Sequence, residues 1–178
     1  MVEEVEQGLI TTDEQAWERM AELNASLDYD IVTPMAGYNN GILNNVAEMA
    51  AAVAAVDPID AAKAKINANT AIQYTASSGY TGIEDGKADA YRHAFWNILM
   101  TRDIGASQAK EVADIHEKYN FSHQLAATMD DYNNAVGRGS YPSSGSTTDT
   151  ALSNIIKSKM TAGTLVYIKN GELSFTNK

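Results

Sequence analysis

The chain has 178 residues, 44% of them hydrophobic, a composition that supports a compact domain with a substantial core and excludes a disordered or fibrous chain. Lysine and arginine number 13 against 23 aspartates and glutamates, so the formal net charge of -10 repels nucleic acid and anionic membrane surfaces, and no nucleic-acid partner is expected. Without cysteine, disulfides, thiol nucleophiles and thiolate zinc sites are excluded.

The first stretch, MVEEVEQGLITTDEQ, is acidic and lacks the basic region and apolar run of a signal peptide, so none is expected within this chain. Thr11, Thr12 and Asp13 are good helix N-caps, and Trp17, Met20, Ala21 and Leu23 then fall near one face, predicting a first helix. Residues 28–41 hold Pro34, Gly37 and Gly41 and read as a connector. Alanine and methionine predict a second helix from about Leu43 to Val56. Glu48 interrupts its apolar run, which is far shorter than the roughly 20 residues of a membrane span, so no transmembrane segment is expected. Asp57-Pro58 sets the N-cap and first position of a third helix running to about Ala76, before the Ser77, Ser78, Gly79 and Gly82 loop.

Three further helices are predicted from Lys87 to Thr101, Ser107 to Asn120 and about His123 to Val136, with Gly105 between the first two and Gly137 and Gly139 ending the last. A polar loop over residues 139–149 precedes a short helix from Thr150 to Met160. The tail, TLVYIKNGELSF, has two β-prone runs around Asn170-Gly171, the strongest short hairpin signal. The expected fold is mainly α, a helical bundle-like single domain over residues 1–178 with a C-terminal β-hairpin.

The stretch Asp89-Ala-Tyr-Arg-His-Ala-Phe-Trp-Asn97 sets the functional question. At 100° per residue Asp89, Arg92, His93, Trp96 and Met100 share one face, while Tyr91, Ala94, Phe95 and Ile98 occupy the other, so both faces look enclosed. Asp89 and His93, at i and i+4, are close enough for a carboxylate–imidazole hydrogen bond that fixes the tautomer. On the next helix His116 shares a face with Ala109, Val112 and Ala113. On the third, Asn133 and Asn134 are poor helix formers beside an inward apolar face, and Asp130 pairs at i+4 with Asn134. Singly, each group reads as a satisfied core residue, ion pair or cap; jointly they would be a costly buried network without a functional use.

The run DGKADAYRHAFWNILMT, the pair His116-Glu117 and the run MDDYNNAVGR together resemble an uncharacterised bacterial domain family found in exported proteins and as a C-terminal module of large toxin-like proteins. The similarity spans about residues 85–138, a three-helix core. It implies a secreted effector or surface-associated enzyme delivered outside the producing cell, with Asp89, Arg92, His93, His116, Glu117, Asp130, Asn133 and Asn134 as the matching polar positions. It implies no particular reaction.

The residues narrow the chemistry. His116-Glu117 is followed by Asn120 where a zinc-protease helix needs a second histidine, and no Gly-x-Ser-x-Gly occurs. A divalent metal at His93, His116 and Asp130 is an alternative, but no ligand pair at zinc spacing supports it, so no cofactor is expected. The expectation is a hydrolase or transferase acting by His/Asp acid–base chemistry on a phosphoester or lipid-linked substrate. His93 would be the general base, Asp89 its orienting group and His116 the general acid; Arg92 would bind the anion, with Asn133 or Asn134 positioning substrate or the His116 ring. Trp96 would contact a lipid portion, Glu117 and Asp130 would support the site, and an immunity protein is a further expected partner. The alternative is a noncatalytic binding or structural module of a larger exported protein, presenting its hairpin edge and acidic surface.

Overall fold

The computed structural model of the protein describes residue 43 and residues 46–144 and 148–178. The predicted first helix and the connector over 28–41 lie outside these. Six helices and a two-stranded hairpin follow: α1 (Val46–Ala55), α2 (Pro58–Ala76), α3 (Lys87–Ile104), α4 (Ala106–Tyr119), α5 (Gln124–Gly139), α6 (Asp149–Ala162), β1 (Val166–Lys169) and β2 (Glu172–Phe175). The described fold is therefore mainly helical with a C-terminal antiparallel hairpin, as the sequence predicts. No described helix is long and apolar enough to cross a membrane.

Local chemistry sets most boundaries. Asp57 caps α2 by accepting from the Asp60 backbone N–H at 2.9 Å, and Pro58 takes the first helical position, where no N–H is needed. At the hairpin turn Asn170 and Gly171 both have positive φ, 56° and 81°, the type I′ geometry that matches strand twist and pairs Lys169 with Glu172.

Two boundaries differ from expectation. Helix α3 runs past Thr101 to Ile104, because nothing stops it before Gly105 at φ 82° and because Arg102, held by Asp103 and by Asp149 of α6, ties that last turn down. Helix α5 runs through Gly137 to Gly139 instead of ending before them. A helix tolerates an internal glycine at a cost of about 1 kcal/mol, and here close helix packing requires it.

That packing is central. Helix α3 contacts α2, α4, α5, α6 and β1, which is why its apolar and polar faces are both buried. Tyr91 stacks on Phe95 and shares a hydrogen bond with Ser153 of α6 at 2.8 Å, while the Trp96 indole N–H donates to the Ala64 carbonyl of α2 at 3.0 Å. Buried aromatic rings with a polar edge need such a partner. Gly137 meets α3 at Ala94, and a Cβ there would stand 2.2 Å from the Ala94 carbonyl oxygen. The hairpin is joined to the bundle through Asn133, whose amide donates to the Val166 carbonyl at 2.9 Å and accepts from the Val166 N–H at 3.0 Å.

Candidate active site

The site begins at the N-terminus of α3. Gly86 caps the helix without a side chain, and Gly82 and Gly86 approach so closely that a Cβ on Gly86 would lie 2.6 Å from the Gly82 Cα. The Ala88 and Asp89 N–H groups of the first turn donate to the Thr81 and Gly82 carbonyls at 3.0 and 3.1 Å, and Asp89 reaches back to the preceding loop, its Oδ2 accepting from the Asp85 N–H at 2.7 Å. Its Oδ1 accepts from Arg92 Nη2 at 2.6 Å and lies 3.3 Å from His93 Nε2. The predicted i, i+4 pairing of Asp89 with His93 is thus in place.

His93 is the hub. Asp130 Oδ1 lies 3.6 Å from Nε2, and on the opposite edge Asn134 Oδ1 is 3.3 Å and Glu117 Oε1 3.5 Å from Nδ1. Asn134 completes the frame by accepting from Asn97 Nδ2 at 2.6 Å and donating to Glu117 at 2.8 Å. Asn97 in turn accepts from Arg138 Nη1 at 2.7 Å.

The His116 ring lies 5.7 Å from that of His93 and edge-on to Trp96 at 5.5 Å. Its Nδ1 is 2.6 Å from Glu48 Oε1 of α1. Asn120 Nδ2 also lies 3.0 Å from Nδ1 and donates to the His116 carbonyl at 2.9 Å, but an ionised carboxylate only accepts, so the shorter Glu48 contact puts the ring proton on Nδ1.

Both histidines face a cavity of about 420 Å³ between the loop before α3, the end of α4 and the start of α5. Glu84, Asp85, Asp89, Glu117 and Asp130 contribute carboxylates to it, together with Arg92, His93, His116 and His123. His123 doubles as the N-cap of α5, accepting from the Ala126 N–H at 3.1 Å.

The electrostatics separate the two carboxylates on His93 Nε2. Burial raises the pKa of Asp89, but the Arg92 guanidinium and His93 outweigh it and hold the carboxyl at about 2. Burial also raises Asp130, and although His93 and Arg92 oppose it, the neighbouring Asp89 and Glu117 charges push the same way as burial, to about 7. Burial lowers His93, yet Asp130, Asp89 and Glu117 outweigh that and raise it well above the ordinary imidazole value. Glu117 is lowered against the upward push of burial by His93 and His116 and by the Asn134 amide.

The structure brings Asp89, Arg92, His93, His116, Glu117, Asp130 and Asn134 together around one cavity or its frame. Asn133 and Trp96 lie elsewhere. Asn133 is fully buried with both ends of its amide on Val166, so the substrate contact expected of it is replaced by a hold on the hairpin. Trp96 is fully buried with its N–H on Ala64, behind His116, and offers a lipid no surface. Three participants were given no role in the site by sequence: Asn97 and Arg138, although both lie within the motif runs, and Glu48. A lone acid inside an alanine-rich helix was the available signal for Glu48.

The family model of a domain of unknown function, DUF6973, matches residues 51–164. The chain belongs to this family. No curated protein and no solved structure matches the chain. The DUF6973 match extends beyond the 85–138 segment in both directions, from within α1 to the residues before β1, and includes every cavity residue named above. Glu48, three residues before it begins, completes the His116 pair from outside the matched region.

Proposed function

We propose that the cavity is the active site of a hydrolase or transferase that uses His/Asp acid–base chemistry on a phosphoester or lipid-linked substrate, in an effector that acts outside the cell that makes it. The carrying observation is Asp130 Oδ1, a buried oxygen without a hydrogen-bond partner, set in the cavity wall beside His93 Nε2. An orphaned carboxylate oxygen in a polar cavity is suited to receive a proton from an incoming water or hydroxyl. As that oxygen bonds to phosphorus and the ester bond breaks, Asp130 returns the proton to the leaving oxygen. Arg92, whose buried Nε also has no hydrogen-bond partner, is the cation available to an anionic substrate oxygen.

This reading moves the proton-transfer role from His93 to Asp130. Both ring nitrogens of His93 are surrounded by protein groups, and Nε2 stands 3.6 Å from Asp130 Oδ1, beyond hydrogen-bond reach, so its part is to position that carboxylate and set the field around it. Asp89 keeps the orienting role expected of it. The exported setting and an immunity partner are supported by the resemblance of the α3–α5 motifs.

The test is turnover of bis-p-nitrophenyl phosphate and of phospholipid vesicles by purified protein, with and without added divalent cations. Asp130→Asn should slow turnover by about 10²–10⁴-fold with an unchanged circular dichroism spectrum. Turnover equal to that of the parent protein, or none by the parent on either probe, overturns the reading in favour of a binding or structural module.

A further inference from the structure

We infer that the floor of this cavity binds a divalent first-row transition ion, zinc being the closest chemical match, through His93 Nδ1, His116 Nε2 and Glu117. The inference deepens the phosphoester reading and rests on it for its chemical purpose, although the binding can be measured without any substrate.

One ring nitrogen of each histidine and a carboxylate oxygen of Glu117 lie within 4.8 Å of one another. The separation of His93 Nδ1 from Glu117 Oε1, 3.5 Å, exceeds the roughly 2.7–2.9 Å of a charge-assisted hydrogen bond. It matches the edge, about 3.4 Å, of a tetrahedron with metal–ligand bonds of about 2.1 Å. Two imidazoles and one carboxylate would leave a coordination position open to the cavity, the arrangement of a catalytic rather than a structural ion.

The outer contacts point the same way. His116 Nδ1 is on Glu48 at 2.6 Å, leaving Nε2 as its ligating nitrogen; His93 Nε2 is on the Asp89 carboxylate at 3.3 Å, and its Nδ1, which has the Asn134 amide oxygen at 3.3 Å, is the nitrogen that faces Glu117 at 3.5 Å. A carboxylate on the far nitrogen of each histidine fixes its tautomer and raises its basicity as a ligand. Glu117 is oriented by Asn134 Nδ2 at 2.8 Å. Asp89, His93 and Asp130 form a second trio of equal compactness, but Arg92 occupies Asp89 Oδ1 at 2.6 Å and its positive charge opposes a cation there. The inference thus departs from the sequence expectation of no cofactor, and its ligand set differs from the alternative weighed there: Glu117 replaces Asp130.

Electrostatic balance supplies an independent reason. Five carboxylates and one arginine line the cavity, a field that repels a phosphoester. A bound dication would reverse the local sign where the substrate oxygen must sit. Imidazole ligands favour zinc and its neighbours over magnesium and calcium.

The experiment is titration of chelator-treated, dialysed full-length protein with Co²⁺, followed by visible absorption, and with Zn²⁺ and Mg²⁺ by calorimetry. One equivalent of Co²⁺ or Zn²⁺ should bind, with a tetrahedral cobalt spectrum, and Mg²⁺ should not compete. Glu117→Gln, which keeps the shape and the Asn134 contact, and His116→Ala should each weaken binding at least about 10-fold, whereas Lys110→Ala, on the exposed face of α4 away from the cavity, should bind like the parent. Absence of stoichiometric binding, or unchanged binding in Glu117→Gln, overturns the inference. Metal binding without phosphoester turnover would instead remove the catalytic reading and leave the metal site standing; turnover by protein that binds no metal would do the reverse.

Discussion

Gly137 and Ala94 meet backbone to backbone: a Cβ on Gly137 would stand 2.2 Å from the Ala94 carbonyl oxygen and 2.9 Å from its Cα. One helical turn before Gly137 on α5 is Asn134, and the neighbours of Ala94 on α3 include His93 and Asn97. The missing side chain thus lets the two helices approach until one amide reaches both His93 and Asn97.

Gly137→Ala should therefore affect the site as well as the fold. Backbone atoms cannot swing aside as a flexible side chain can, so the helices must separate, at a cost of about 1–3 kcal/mol. Chemical denaturation should register this loss. Nuclear magnetic resonance should show the His93 ring signals shifted, because its Asn134 contact lengthens. An unchanged denaturation midpoint would show that the helices can part freely.

Asn133 presents a contrasting case. Its amide satisfies both the N–H and the C=O of Val166, standing where a third strand would otherwise pair. Asn133→Leu leaves a buried donor and acceptor without partners, which costs about 1–3 kcal/mol for each group stranded. Amide exchange at Val166 should accelerate and the protein should melt earlier, with the metal affinity of the cavity retained. Exchange at the parent rate would mean that the hairpin is held by other contacts alone.

Tyr91 carries a pH prediction away from the site. Burial raises its phenol from 10.0 to about 12, with the Ser153 hydrogen bond opposing. A pKa raised in the folded state means that the folded chain holds the proton more tightly. Its contribution to stability is then complete below pH 10 and lost as pH rises from about 10 to about 12. Tyr91→Phe should cost about 0.5–1.5 kcal/mol near neutrality, through the lost hydrogen bond, and the gap from the parent should close across that alkaline window. A gap that stays constant with pH would refute the assignment.

The residue chemistry of short segments determined much of this fold. Asp57-Pro58 placed the start of α2 and Asn170-Gly171 placed the hairpin turn, because capping and positive φ depend on a few adjacent residues. Periodicity likewise identified α3 as a helix enclosed on both sides and put Asp89, Arg92 and His93 on one face. These features need no distant partner.

What only the tertiary structure decided is which groups meet. Glu48 joins His116 across 68 positions of sequence, and Glu117 rather than Asp130 sits with both histidines. Asn133 and Asn134 are adjacent and chemically identical, yet one holds the hairpin and the other frames His93. Gly137 read as a terminator and is a contact surface. Periodicity gives each side chain a direction around its own helix, about 100° from the next. It does not give the distance or rotation of the neighbouring helix. Those follow from close packing at points such as Gly137 against Ala94, and hydrogen bonds and metal ligands, which require agreement within a few tenths of an ångström, depend on them directly.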